Sequence, residues 1–167
     1  MPLTPTLNGM NVAFDLLQDC KYLYLESLSE PDGGGLKLVV HEARVGGPPS
    51  ADVLAAEAIP ELRAILANSK SIEHGSNCCV FEITWERYIA YAVENESYAL
   101  PEPRDSIGEG HLFVEYSKSV YLEYLARVSF ASTGYLGPYK HWAMLCLDHI
   151  VNVASASEPD IKVTYAV

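Results

Sequence analysis

The sequence is short of basic residues, and this shortage excludes several kinds of partner. Its 167 residues include 11 Lys and Arg against 22 Asp and Glu, which gives a net charge of −11 with neutral histidines. A negative field of this size repels phosphate groups, so we expect neither nucleic acids nor anionic membranes as partners. It favours a basic protein partner, although an acidic surface also serves solubility alone.

Long apolar stretches are also missing. No run of about 18 apolar residues, enough for a transmembrane helix, occurs in the chain. The first residues, MPLTPTLNGMN, have neither the basic segment nor the apolar core of a signal peptide. We therefore expect a cytoplasmic protein. The length, with 49% hydrophobic and 20% charged residues, predicts a single globular domain over residues 1–167.

Cysteines are few, and the familiar motifs of cofactor binding and catalysis are missing. Cys20, Cys78, Cys79 and Cys146 form no C-x-x-C pair, so a zinc ribbon is excluded and buried structural thiols are expected. H-E-x-x-H, G-x-G-x-x-G, the phosphate-binding P-loop and G-x-S-x-G do not occur either. We therefore assign no catalytic residue, no metal site and no cofactor from the sequence.

What the chain does contain is strand-like alternation of apolar and polar residues. KYLYLESL and LKLVVHEARV flank the glycine-rich SEPDGGG, and this arrangement predicts a β-hairpin. Apolar residues recur at every second position from residue 79 to 85 and again from residue 89 to 93, and a bend near 85–87 should divide this stretch. HLFVEYS is a further strand. YKHWAMLCLDHIVNVAS favours one long strand, with a helix as the alternative, and Pro159 should end the core region.

Helices are predicted in three places. NVAFDLLQDC is a possible short helix with Asn11 as its N-cap. Residues 51–68 favour helix but contain Pro60, so either two short helices, with Ser50 as a cap, or an irregular crossing is expected. KSVYLEYLARVSFA has a helical apolar stripe, capped by Ser117 or Ser119. The fold class is therefore α+β: a mainly antiparallel sheet of five to seven strands with one or two helices on one face.

Acidic residues concentrate between positions 82 and 115, where eight acids face two arginines for a net charge of −6. Glu94 and Glu96 are two residues apart, so on a strand their side chains share a face. Two close carboxylates could act as an acid–base pair or bind a cation. A solvated strand end, which protects a sheet edge and adds solubility, is the preferred interpretation.

Histidines allow an alternative function. His141 and His149 would lie on one face of a continuous strand, and with Glu94 they could form the pocket of a small enzyme or a ligand- or metal-binding domain. Zinc requires three or four converging ligands, which the spacing does not establish. Cys146 lies between Leu145 and Leu147, and apolar surroundings raise rather than lower the pKa of a thiol.

Two stretches carry a resemblance. FEITWERYIAYAVENESYA and KHWAMLCLDHIVNVASASEPDI, under a third of the chain, resemble small acidic bacterial proteins of uncharacterised families that are similar to immunity proteins of toxin systems. The resemblance implies non-enzymatic binding of a partner protein, and it assigns no functional residue.

The leading hypothesis is a non-catalytic, soluble protein-binding module with an acidic surface. Its acids would pair with Lys or Arg of a basic partner and accelerate the encounter. Tyrosines around them would anchor the interface. A homo-oligomer that pairs exposed strand edges is a further possibility. The candidate binding residues are Glu94, Glu96, Glu102, Asp105, Tyr91 and Tyr98.

Overall fold

The structure, a computed structural model, describes residues 10–131 and 133–166. Within them lie ten strands and five α-helices, with a 3₁₀ turn at Glu96–Tyr98. The strands are β1 (Tyr22–Ser29), β2 (Leu36–Val45), β3 (Ile72–Glu73), β4 (Cys79–Trp85), β5 (Tyr88–Asn95), β6 (Ile107–Glu109), β7 (Phe113–Lys118), β8 (Lys140–Leu145), β9 (His149–Ser155) and β10 (Asp160–Tyr165). The helices are α1 (Met10–Asp19), α2 (Ala51–Ala56), α3 (Pro60–Ala67), α4 (Val120–Val128) and α5 (Thr133–Leu136).

The ten strands form two antiparallel sheets of five strands each, which confirms the predicted α+β class. Sheet I has the order β1-β2-β4-β10, with β3 paired to the end of β2. Sheet II has the order β5-β9-β8-β7-β6. Every strand pair is antiparallel, as expected of a chain whose strands are joined mostly by short turns.

The core lies between the sheets. In sheet I, Val40 pairs with Phe81 and Leu38 pairs with Ile83, and all four side chains have no exposed surface. Trp85 reaches sheet II, where its ring centroid lies 6.2 Å from that of Phe113 and 6.3 Å from that of Trp142. The period-two pattern of the sequence therefore marks the strand faces that meet in the core.

The hairpin of β1 and β2 forms as predicted, and its turn explains the run of glycines. Gly33, Gly34 and Gly35 have φ angles of +100°, +91° and +90°. Residues with a Cβ rarely adopt such angles, so three consecutive left-handed positions need glycine. A Cβ on Gly35 would also lie 2.9 Å from the carbonyl oxygen of Trp85.

The predicted division near residues 85–87 is confirmed, and it also moves the chain from one sheet to the other. β4 ends at Trp85 in sheet I, and β5 begins at Tyr88 in sheet II. Only Glu86 and Arg87 lie between them. The sequence FEITWERYIAYAVEN is therefore one continuous pattern that supplies strands to two layers.

Three predictions about element boundaries were wrong. The expected long strand after Tyr139 is a hairpin, because residues 146–148 form a turn between β8 and β9. Pro159 does not end the core region, since β10 follows it and buries Ile161 and Val163 against β4. Asn11 is not an N-cap, because it lies within α1, whose Ala13 and Leu17 are fully buried.

Residues 51–68 form two short helices, the first of the predicted alternatives. Ser50 caps α2, since its Oγ accepts a hydrogen bond from the amide of Val53 at 3.4 Å. Pro60 is the first residue of α3, where a missing N–H leaves no hydrogen bond unmade. Neither helix contains a buried residue. In the described part of the chain, no helix is long and apolar enough to cross a bilayer.

Candidate functional site

A cavity of about 900 Å³ lies on the face of sheet II that points away from sheet I. Its floor is formed by β8 and β9, and its walls are formed by α4, the end of β5 and the segment 96–106, which we call the 96–106 loop. Its described lining residues are Glu94, Glu96, Tyr98, Ala99, Leu100, Pro101, Glu102, Pro103, Tyr116, Val120, Tyr121, Tyr124, His141, Ala143, Leu145, Ile150 and Asn152.

Strand register determines which side chains reach the cavity. His141 and Leu145 lie on one face of β8, and their cross-strand neighbours on β7 and β9 are Tyr116 and Ile150. Because residues directly opposite each other in an antiparallel pair share a face, these side chains point to the cavity together. Residues at alternate positions, such as Trp142 and Val151, point to the core instead.

Four polar side chains form a hydrogen-bonded network, and three of them, Glu94, His141 and Asn152, line the cavity. Asn152 Nδ2 donates to Glu94 Oε1 at 2.9 Å, so Asn152 Oδ1 faces His141 Nε2 at 2.8 Å. Nε2 must therefore carry the proton and donate to this oxygen. The other ring nitrogen, Nδ1, lies 2.8 Å from Oγ of Ser119. This hydrogen-bonded network joins β5, β9, β8 and the start of α4.

His141 is held in its neutral form. Its side chain has no exposed surface, and burial lowers its pKa, against the raising effects of the bond to Asn152 and the charge of Glu102. In neutral imidazole the unprotonated Nδ1 accepts, so Ser119 donates through its hydroxyl. The His141 ring neighbours those of Tyr116 and Tyr121, with a centroid distance of 5.1 Å to each. Burial raises the pKa of Tyr121 to about 12, so this tyrosine is also neutral.

The first turn of α4 and the 96–106 loop are fixed to each other. Ser119 Oγ accepts from the amide of Leu122 at 3.2 Å, which confirms one of the two predicted caps. Glu102 Oε2 accepts from the amide of Val120 at 3.3 Å and from Ser106 Oγ at 2.7 Å. A carboxylate at this position also interacts favourably with the positive end of the helix dipole. Glu102 therefore closes one wall of the cavity.

The cavity carries negative charge on an aromatic and apolar surface. Glu94, Glu96 and Glu102 line it, and none of its described lining residues is a lysine or an arginine. Tyr98, Tyr116, Tyr121 and Tyr124 supply four aromatic rings. The faces of such rings attract cations, and carboxylates pair with them. The site is thus suited to a positively charged organic group.

The structure brings four of the six predicted binding residues to one cavity. Glu94, Glu96, Glu102 and Tyr98 line it, and Tyr98 is 87% exposed. Asn95 has the local role that its position suggests, because its Oδ1 accepts from the amide of Ser97 at 3.0 Å.

The other two predicted residues lie outside the lining. Asp105 accepts a hydrogen bond from Lys118 Nζ at 2.6 Å, and this ammonium lowers the pKa of Asp105. Tyr91 packs edge-on against Tyr88 with a centroid distance of 5.6 Å, and a hydrogen bond with Glu30 raises its pKa. Tyr91 pairs with Val153, whose side chain is in the core, so it lies on the opposite face of β5 from Glu94.

The His and Glu residues of the alternative hypothesis are only partly brought together. Glu94 and His141 are linked through Asn152, but His149 lies on the opposite face of β9 from Asn152. Its Nδ1 lies 3.1 Å from Oδ2 of Asp148. Cys146 is buried, and burial raises its pKa to about 12, so it is no thiolate at neutral pH.

The hydrogen-bonded network of Glu94, Asn152, His141 and Ser119 offers little to catalysis. Ser119 is 1% exposed and its hydroxyl is engaged by both His141 and Leu122, so it is not an available nucleophile. Both nitrogens of His141 are engaged as well, which leaves no free lone pair for a general base. Among the described residues, no three His, Cys, Asp or Glu side chains form a group that could hold a metal ion.

Several lining residues were not identified from the sequence. Asn152 is the clearest, and a signal for it exists: it is an amide within the apolar strand HIVNVAS and is only 7% exposed. Buried polar groups must find hydrogen-bond partners, so such a residue marks a network. Tyr116 and Ile150 carried no comparable signal, because each fits the ordinary pattern of its strand.

No protein-family model, no curated protein and no solved structure matches this chain.

Proposed function

We propose that this chain is a non-catalytic binding module that receives a basic side chain of a partner protein in the cavity on sheet II. The supporting observation is the lining of that cavity, which combines three carboxylates with four tyrosine rings and contains no lysine or arginine among its described residues. A lysine or arginine side chain has an apolar stem and a cationic head, and this surface complements both parts. We place this interaction in the cytoplasm.

A protein partner fits the mouth of the cavity better than a small cation does. Tyr98, Leu100, Val120 and Tyr124 line the cavity and are 87%, 88%, 52% and 55% exposed. A small ligand inside the cavity would leave most of this apolar rim in water. A protein surface would cover it, as aromatic anchors are covered at the centres of protein interfaces.

The net charge of −11 supports the same partner, since a basic protein would be steered towards it. Immunity proteins of toxin systems act by binding a toxin, so the resemblance of the two quoted stretches agrees with this proposal.

The test is the double variant Glu94→Gln, Glu96→Gln, which removes two negative charges without changing the size of the side chains. The amide oxygen introduced at position 94 can still accept the hydrogen bond of Asn152. N-acetyl-lysine methylamide is titrated into the protein and followed by ¹⁵N–¹H NMR, with N-acetyl-norleucine methylamide as the uncharged probe. We expect the lysine probe, but not the norleucine probe, to shift the resonances of Tyr121 and Ala143. The double variant should weaken its binding about tenfold, and added salt should weaken it in the wild type.

A matched control is Asp52→Asn with Glu61→Gln, which removes the same charge from α2 and α3, where nothing is buried. If both double variants weaken binding of the lysine probe equally, the effect is one of general charge, and the cavity is not the binding site. Binding of the norleucine probe as strong as that of the lysine probe would overturn the requirement for a cation.

A further inference from the structure

A second, smaller depression of about 260 Å³ adjoins the cavity. The two share three lining residues, Glu96, Leu145 and Ile150. Leu145 and Ile150 are the last cross-strand pair before the turn at residues 146–148, and both are partly exposed. Their side chains therefore border both hollows. Together the hollows make one groove, which runs over the end of the β8–β9 hairpin towards the start of β1.

The chemistry of the smaller hollow differs from that of the cavity. Leu23, Leu112, Cys146 and Leu147 line it in addition to the shared residues, so most of its surface is aliphatic. It also contains Lys21, whose Nζ lies 5.4 Å from the centroid of the Tyr22 ring. This ammonium opposes a second positive charge. The hollow is therefore suited to an uncharged apolar group.

We infer that the partner presents an extended segment in which one basic side chain enters the cavity and a nearby apolar side chain fills the smaller hollow. This inference rests on the proposed function, and it adds a sequence requirement to it. Side chains on one face of an extended chain are about 7 Å apart, so residues close in the segment can occupy adjoining hollows. In the smaller hollow the negative charge of Glu96 is accompanied by the positive charge of Lys21. Because Lys21 repels another ammonium, the second residue should be apolar rather than basic.

The experiment uses capped hexapeptides of Gly and Ser that contain one lysine and one variable residue. The variable residue is Leu, Ser or Lys, and it is placed one, two or three positions away on either side. Dissociation constants are measured by ¹⁵N–¹H NMR titration of the full chain. At the best spacing, we expect the Leu peptide to bind about tenfold more tightly than the Ser peptide, because an aliphatic side chain leaves water. The Lys peptide should gain nothing over the Ser peptide.

The variant Leu147→Ala tests the assignment of the smaller hollow. Leu147 is 39% exposed, and Leu136 on α5, outside both hollows, has the same exposure, so Leu136→Ala is the matched control. We expect Leu147→Ala to remove most of the advantage of the Leu peptide, without changing the Ser peptide, and Leu136→Ala to change neither. An unchanged advantage in Leu147→Ala would overturn the assignment.

The remaining outcomes separate the two proposals. If all lysine peptides bind equally well and lose affinity in the Glu94→Gln, Glu96→Gln variant, the sequence requirement fails and the proposed function stands. If no peptide binds, or if binding ignores that double variant, the proposed function fails and the sequence requirement fails with it.

Discussion

Asn152 donates a hydrogen bond from Nδ2 to Oε1 of Glu94 at 2.9 Å, although 58 residues separate them in the sequence. The same amide accepts from His141, so it links the acidic wall of the cavity to the imidazole and, through Ser119, to the start of α4. The acidic strand end at Glu94 is therefore hydrogen-bonded to the neighbouring strand β9 as well as solvated.

Replacing Asn152 should destabilise the protein, because it leaves polar partners unpaired. Asn152→Leu removes the acceptor of His141 Nε2 and the donor to Glu94, and an unsatisfied buried group costs about 1–3 kcal/mol. Urea unfolding measures the change. Asn68 ends α3, where its exposed side chain donates from Nδ2 to the carbonyl of Ala64 at 2.8 Å. Because water can replace this exposed hydrogen bond, Asn68→Leu should cost only about 0.5 kcal/mol. Equal losses in the two variants would show that the network adds no stability.

Two capping serines should differ in their contribution to stability. Ser119 caps α4 and also donates to His141, while Ser50 caps α2, which buries nothing. We expect Ser119→Ala to lower the free energy of unfolding by about 2 kcal/mol and Ser50→Ala by about 0.5 kcal/mol. Thermal or urea unfolding gives both values. A larger loss of unfolding free energy for Ser50→Ala than for Ser119→Ala would contradict a stabilising role of the hydrogen bond between Ser119 and His141.

The lowered pKa of His141 predicts a loss of stability in mild acid. The unfolded chain, with an ordinary histidine pKa near 6.5, binds a proton that the folded chain does not bind until lower pH. Stability is therefore complete above that value and falls below it, by at most about 1.4 kcal/mol per pH unit for one proton. Burial and the neighbouring His74 lower the pKa of His41, so it adds to the same slope.

Urea unfolding at pH 7.5, 6.5 and 5.5 checks this dependence. His141→Gln should flatten the slope between pH 7.5 and 5.5, and His41→Gln should remove a separate part of it. The lowered pKa of Glu42 acts only below about pH 4.5, outside this window. An unchanged slope in His141→Gln would mean that its protonation is not coupled to folding.

Two phenylalanines give a contrast between the core and the surface. Phe113 is 1% exposed and contacts the ring of Trp85 across the two sheets, whereas Phe130 is 96% exposed. Phe113→Ala should lower the free energy of unfolding by about 3–5 kcal/mol, and Phe130→Ala should change it by about 0.5 kcal/mol or less. Guanidinium unfolding is the measurement. Similar effects of the two changes would argue against a core between the sheets.

Local patterns predicted much of the fold because they act over a few residues. The alternation around Phe81 and Ile83 and the glycines after Asp32 correctly predicted strands and a turn. Pro60 correctly predicted a division of the helix. The hairpin of β8 and β9 was missed because its turn, Cys146-Leu147-Asp148, contains no glycine or proline. β10 was missed because the proline directly before it is an ordinary stop signal for a strand.

The candidate site was only half predictable. Charge density directed attention to Glu94, Glu96 and Glu102, and the structure places all three at one cavity. Tyr91 is three residues from Glu94, so strand alternation alone places it on the other face. Asn152 and His141 depend on pairing between strands, which no local pattern determines.

The sequence by itself determined the charge, the faces of most strands and the division of the helical segment at Pro60, because these follow from the chemistry and spacing of neighbouring residues. Only the tertiary structure decided that β4 and β5 belong to different sheets and that Glu94 meets Asn152 and His141. The physical reason is that sheet membership and cross-strand register are set by the packing of distant segments against each other, and the free energy of that packing is not contained in any one stretch.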